Sequence, residues 1–192
     1  MRLFPSRLSL AALAMIAPTA LLAHEGGHAS GFAAGLGHPV GGTDHLLAMV
    51  AVGLWAAVLG GRAVWALPVS FVGAMLLGGV AGFSGLPMPG VEPMIVASAV
   101  LLGVAAALLL RVPTAVAAAS VAAFGLFHGH AHGMEAGDAG FATFAAGFAL
   151  ATLGLHLAGL ALGWLLQSRA AQRVLRVIGA VVAFAGLSLV FG

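Results

Sequence analysis

The chain has 192 residues, of which 62% are hydrophobic and only 6% are charged, and its mean hydropathy is +1.15. A soluble domain carries about 25% charged residues, so this composition predicts an integral membrane protein. Cysteine and lysine are both absent, which excludes disulfides, thiolate metal sites and iron–sulfur clusters and removes the lysine of a P-loop ATPase. The formal net charge is +2, and the seven arginines stand singly, a pattern that does not indicate nucleic-acid binding.

Residues 1–23 have the pattern of a secretory signal peptide. Arg2 and Arg7 form a positive start, an apolar stretch follows from Leu8 to Leu22, and Ala23 precedes the predicted cleavage point. Cleavage makes His24 the new N-terminus. We therefore expect residues 24–192 to form a single transmembrane helical domain.

Six apolar segments follow, each near the roughly 20 residues that a membrane-spanning helix needs. The predicted fold is all-α, a polytopic membrane helical bundle of about six transmembrane helices. Hydropathy and the short breaks between the segments place the spans at about 38–59, 63–83, 93–110, 113–130, 140–166 and 174–191.

The charges predict the orientation of these spans. If the exported N-terminus lies outside, the arginines after the signal peptide fall at cytoplasmic turns and the acids of the breaks fall on the outer side. The arginines are Arg62, Arg111, Arg169, Arg173 and Arg176, and the acids are Glu25, Glu92, Glu135 and Asp138. This distribution predicts a multi-pass protein of the bacterial inner membrane with both mature termini in the periplasm.

The first span begins with metal-ligand residues, in the sequence HPVGGTDHLLAM. His38, Asp44 and His45 are candidate metal ligands, because an ionisable residue inside a membrane segment is expensive and marks a functional site by default. In the alternative interpretation, Asp44 only caps the helix and the histidines are interfacial residues.

The geometry of this motif depends on its glycines. Pro39 suits the first turn of a helix, and in a regular helix His38, His45 and Met49 share one face while Asp44 points elsewhere. The pair Gly41–Gly42 permits a break instead. Met49 is therefore a weaker candidate for the metal path.

The second motif is FHGHAHGMEAGD, which begins in the last residues of the fourth predicted span and continues beyond it. His128, His132 and Glu135 have i, i+4, i+7 spacing, so they share one face if the helix continues through them. His130 faces away in a helix and is a weaker candidate. Histidine-rich tracts bind metals, although a polar external loop is the alternative.

Three further histidines are weaker candidates for the metal path. His156 lies deep in the fifth predicted span, where it is either an inner station on an ion path or a residue bonded to a backbone carbonyl. His24 and His28 follow the signal peptide and could capture metal or form a solvated tail.

Both motifs resemble those of the HupE/UreJ family of nickel permeases, which are linked to hydrogenase and urease maturation. The first matches the family pattern HPxxGxDHxxAMxxVG without departure, and the second resembles HGxAHGxE. The resemblance implies uptake of Ni²⁺ across the inner membrane rather than enzymatic activity, with no permanently bound cofactor. By matching positions it implicates as ligands His38, Asp44, His45, His128, His132 and Glu135.

Several alternatives stay open at the level of sequence. Cobalt or zinc could replace nickel as the transported ion, and a homo-oligomer or a metallochaperone could be a partner besides the lipid bilayer. A membrane metalloenzyme that activates water is a second functional hypothesis, although no large external domain shapes a substrate pocket. A non-transporting metal-binding accessory or sensor protein is the third.

Overall fold

The computed structural model describes residues 31–136 and 140–189. The predicted signal peptide, His24, His28 and Asp138 lie outside this part of the chain. The described residues form seven helices and no strand, which confirms the all-α prediction. The helices are α1 (Phe32–Gly41), α2 (Thr43–Leu59), α3 (Ala63–Phe83), α4 (Val91–Ala107), α5 (Thr114–Glu135), α6 (Phe141–Leu165) and α7 (Ala171–Ser188).

Each of the six predicted spans coincides with helical structure, but the number of spans is not confirmed. Four helices, α3, α5, α6 and α7, are long and apolar enough to cross a membrane, and a fifth span results if α1 and α2 count together. The apolar helix α4 has 17 residues and is shorter than these four. The protein is thus a multi-pass helical bundle with four or five candidate spans in its described part.

The first predicted span is broken, which corrects the expectation of one helix over 38–59. The axes of α1 and α2 meet at 87°, and Gly42 between them is extended, with φ −104° and ψ 122°. Pro39 lies in the last turn of α1 rather than in a first turn. His38 therefore does not share a regular helical face with His45 and Met49. Glycine suits the bend because a Cβ at Gly42 would lie only 2.9 Å from Oδ1 of Asp44 and 3.1 Å from Nδ1 of His45.

Helix α2 is the centre of the bundle. Every residue from Ala51 to Ala57 is buried, so all faces of this part of the helix meet protein. On one side α2 touches α6 backbone to backbone. A Cβ at Gly53 would overlap the carbonyl oxygen of His156, and a Cβ at Gly159 would overlap that of Val50. Small residues permit such close approach of helices in lipid, where packing rather than the hydrophobic effect drives association.

Helices α3 and α5 pack equally closely. A Cβ at Gly129 would overlap the carbonyl oxygen of Met75, and a Cβ at Gly133 would overlap that of Gly79. These glycines are interleaved with the histidines of the second motif. The close contact with α3 therefore fixes the rotation of α5 about its axis, and with it the direction in which its histidines point.

The bundle has two chemically different ends. The histidine end comprises the first turns of α2 and α4 and the last turns of α5, and it contains an open cleft of about 390 Å³. The arginine end comprises the last turns of α2, α4 and α6 and the start of α7, and its cleft measures about 460 Å³. Arg111, Gln167 and Gln172 line the second cleft.

Candidate metal site

The cleft at the histidine end brings together the two sequence motifs. Its lining residues come from α1, α2, α4 and α5 and include five of the six predicted ligands: His38, Asp44, His45, His132 and Glu135. The sixth, His128, lies one turn deeper on α5 and is fully buried. Helix α5 continues to Glu135, so the condition for a shared face of His128, His132 and Glu135 is met.

Glu135 joins the motifs directly. Its Oε2 accepts a hydrogen bond from Nε2 of His38 at 3.0 Å and another from Nδ1 of His132 at 3.2 Å. One ligand atom from each of these three residues lies within 4.8 Å of the others. A cation in this position would replace the two imidazole protons that now face the carboxylate, with two nitrogen ligands and one oxygen ligand.

Asp44 forms hydrogen bonds with both the backbone and the side chain of the neighbouring histidine. Its Oδ1 accepts hydrogen bonds from the backbone N–H of His45 and from the Nδ1–H of the same residue, both at 2.8 Å. The first bond satisfies an amide in the first turn of α2, where helices leave amides unpaired. The second fixes the ring and its tautomer, as a carboxylate does behind a metal-bound histidine. Asp44 is therefore more than a cap.

His128 is held in one tautomer by a serine. The Ser98 hydroxyl donates to the carbonyl oxygen of Ile95 at 2.6 Å, so its oxygen accepts the Nε2–H of His128 at 2.8 Å. A hydroxyl has a single proton to give, and this leaves the lone pair of His128 on Nδ1. Within the described residues, that atom is buried and has no hydrogen-bond partner.

The imidazole rings form a continuous column. The His38 and His132 centroids are 4.5 Å apart, and His45 lies 4.4 Å from His132. His128 continues the series at 4.6 Å from His45. The bend at Gly42, rather than a shared helical face, brings both His38 and His45 against His132. As with His128, the Nε2 atoms of His45 and His132 are buried without a partner in the part of the chain that the structure describes.

The weaker candidates for the metal path lie in different parts of the bundle. His130 faces away from the column, as predicted for a helix, and its Nε2 donates to the carbonyl oxygen of Leu86 at 2.7 Å. Met49 is fully buried in the apolar core one turn below His45. His156 is also fully buried, on α6. His24 and His28 lie outside the described residues.

Two polar residues of this region were not predicted as site residues. Ser98 positions His128, but a single serine in an apolar helix does not reveal its partner. Glu92 lines the cleft at the start of α4, whereas the sequence identifies it only as an acid on the outer side. The sequence signal that could have identified Glu92 as a site residue is its position directly before an apolar segment.

The fold and the cleft together define a class: a multi-pass helical membrane protein with a histidine–carboxylate group suited to a divalent metal ion at one end of its bundle. The sequence model of the HupE / UreJ protein family matches residues 11–189. The chain is 48% identical over 185 residues to Protein HupE of Rhizobium leguminosarum bv. viciae, covering 96% of each chain. No solved structure matches. The chain belongs to the HupE/UreJ family, whose members are hydrogenase and urease accessory proteins.

Proposed function

We propose that this protein takes up Ni²⁺ across the bacterial inner membrane and supplies it for hydrogenase or urease maturation. The observation that carries the proposal is the triad of His38, His132 and Glu135 in an open cleft at the end of a membrane bundle. Imidazole and carboxylate ligands suit Ni²⁺, although they also suit neighbouring metals of the first transition row. Family membership gives nickel its priority over cobalt and zinc.

The column of imidazole rings, whose inner members are buried, supports transport rather than capture alone. A cation held by the triad lies beside His45, and His45 lies beside His128, which is inaccessible from the cleft surface. Each ring in the series has a nitrogen that a metal could use in turn. A series of neighbouring sites allows an ion to exchange its ligands step by step instead of losing all of them at once.

Charge supports an orientation with the histidine end in the periplasm. Glu92 and Glu135 line the cleft at that end, and Arg111 lines the cleft at the other. Positively charged residues near span ends favour the cytoplasm. In this orientation the metal enters from the periplasm.

The membrane potential is sufficient as a driving force. Moving one charge across 100 mV is worth about 2.3 kcal/mol, hence about 4.6 kcal/mol for a divalent cation. That energy corresponds to roughly thousandfold accumulation, since each 1.4 kcal/mol is a factor of ten. The proposal therefore requires neither ATP nor a second coupled ion.

Uptake of Ni²⁺ by proteoliposomes under an imposed potential, negative inside, tests the proposal. The wild-type protein should show saturable uptake, and the double variant H38A/H45A should lose it. Competition by Co²⁺ and Zn²⁺ in the same assay ranks the metals. Stoichiometric Ni²⁺ binding without any flux would contradict transport and favour an accessory metal-binding role.

A further inference from the structure

His156 differs from the histidines of the column. It lies on α6 about 22 Å from the first residue of that helix, on a rise of 1.5 Å per residue. The side chain is fully buried, and neither ring nitrogen has a hydrogen-bond partner among residues 31–136 and 140–189. A neutral imidazole carries one donor and one acceptor, and a buried polar group without a partner costs about 1–3 kcal/mol. A transient ligand would explain why this cost is tolerated.

The buried histidines of α5 provide the contrast. His128 is held by Ser98, and His130 is held by the carbonyl oxygen of Leu86, so each has one satisfied nitrogen. His156 has none in the described structure. Of the buried histidines in residues 31–136 and 140–189, it is thus the one with the greatest unmet capacity to bind a ligand.

A phenylalanine connects His156 to the column. The Phe71 ring, on α3, contacts His128 with centroids 5.4 Å apart and His156 with centroids 5.1 Å apart. The ring is fully buried. The Phe71 ring therefore contacts both the innermost histidine of the column and His156.

Among the described residues, no hydrogen bond links the His156 ring to a charged side chain. Thr152 lies one turn before His156 on the same face of α6, and its hydroxyl is 3.7 Å from the sulfur of Met75. Imidazole, hydroxyl and thioether groups can each interact with a first-row transition metal, and the imidazole is the strongest of these donors. The cleft, by contrast, contains carboxylates. A site without a carboxylate binds a divalent cation more weakly, as release requires.

His156 also lies on the way to the arginine end. Gly163, about 10 Å further along α6 at 1.5 Å per residue, lines the cleft there. We propose that His156 is a second, transient binding station for the transported divalent cation, separated from the histidine column by the Phe71 ring, which must move aside for the ion to pass. This inference rests on the proposed function.

The test separates binding from flux in the full-length protein. H156A should bind Ni²⁺ in detergent, measured by equilibrium dialysis, within about twofold of wild type, because the cleft ligands are untouched. Its uptake in proteoliposomes should fall at least about tenfold, the typical effect of losing a metal-site residue. H130N is the matched control: it alters a buried histidine outside the column and should retain uptake.

Three results would contradict the inner binding station at His156. Wild-type uptake by H156A would overturn the inner station while the proposed function stands. An equal loss of binding and uptake would assign His156 to the cleft site and also overturn it. Absence of uptake by the wild-type protein would overturn both.

A second variant covers the case in which H156A fails to fold. F71L keeps an apolar side chain but removes the ring between the two imidazoles. It should leave equilibrium Ni²⁺ binding unchanged and raise the initial uptake rate about threefold or more, since roughly 0.7 kcal/mol of barrier is a factor of three. An uptake rate equal to that of wild type would overturn the separation by Phe71.

Discussion

The two clefts of the bundle are similar in size but opposite in chemistry. The cleft at the histidine end contains imidazoles and carboxylates that hold one another by short hydrogen bonds. The cleft at the arginine end contains apolar side chains, two glutamines and the guanidinium of Arg111. A divalent cation finds strong ligands at the first and electrostatic repulsion at the second. Under the proposed function, this difference assigns capture to one end and release to the other, with the buried histidines between them.

The largest effect should come from E135Q, which removes the carboxylate that both His38 and His132 contact. Loss of a charged metal ligand should reduce Ni²⁺ uptake about 100-fold, at the upper end of the effects measured at metal sites. E92Q is the matched control, because Glu92 lines the same cleft without a hydrogen bond to either histidine. If both variants lost uptake equally, the cleft would act through its total charge and not through a defined triad.

The next largest effect should come from G129A, which tests whether the wall of the histidine end is rigid. The added methyl group overlaps the backbone of Met75 and must force α3 and α5 apart. We expect a destabilisation of about 1–3 kcal/mol, measured by denaturant unfolding of the purified protein. G154A, whose Cβ would meet nothing within 4 Å, should be neutral or slightly stabilising. Equal stability of the two variants would contradict the close helix contact.

S98A should have an intermediate effect, because it removes the group that fixes the tautomer of His128. Uptake should fall about tenfold, as for other residues that orient metal ligands, while Ni²⁺ binding at the cleft changes little. S120A is the control, since the Ser120 hydroxyl is exposed and bonds only to the carbonyl oxygen of Val116 in its own helix. Full activity of S98A would show that uptake does not require the Ser98 hydroxyl to fix the tautomer of His128.

The smallest effect should come from R111Q at the arginine end. Removing the repulsive charge should increase reverse flux of Ni²⁺ from preloaded vesicles by about twofold to fivefold, since a charge pair near 8 Å in water is worth several tenths of a kcal/mol or more. R62Q removes an arginine that does not line that cleft and should leave efflux unchanged. Equal efflux from both variants would show that the second cleft has no part in the exit path.

The sequence predicted best what depends on a single helix. The bounds of α3 agree with the predicted span 63–83, because a long apolar segment there lies between clear breaks. The common face of His128, His132 and Glu135 was predictable for the same reason, since i, i+4, i+7 spacing is a property of one helix.

What depends on contacts between helices could not be predicted. The pair Gly41–Gly42 is compatible with a regular helix or with a break, and the packing of α1 on α6 decides between them: a Cβ at Gly35 or at Gly147 would overlap the opposing backbone. The partner of Ser98 is set by the position of α5 relative to α4. The contacts of Phe71 with His128 and His156 likewise depend on how α3, α5 and α6 pack together.

The bend at Gly42 divides the first motif between two helices that differ in burial. Only Gly35 and Pro39 of α1 are buried, whereas ten residues of α2 are. His38 therefore lies on a helix with few buried residues, which is held by its close contact with α6, while His45 is built into the core of the bundle. Under the proposed function, substitutions around His38 that leave the Gly35 contact with α6 intact should change metal preference at less cost in stability than substitutions around His45. Equivalent substitutions in α2 would destabilise the folded protein before they changed its metal selectivity.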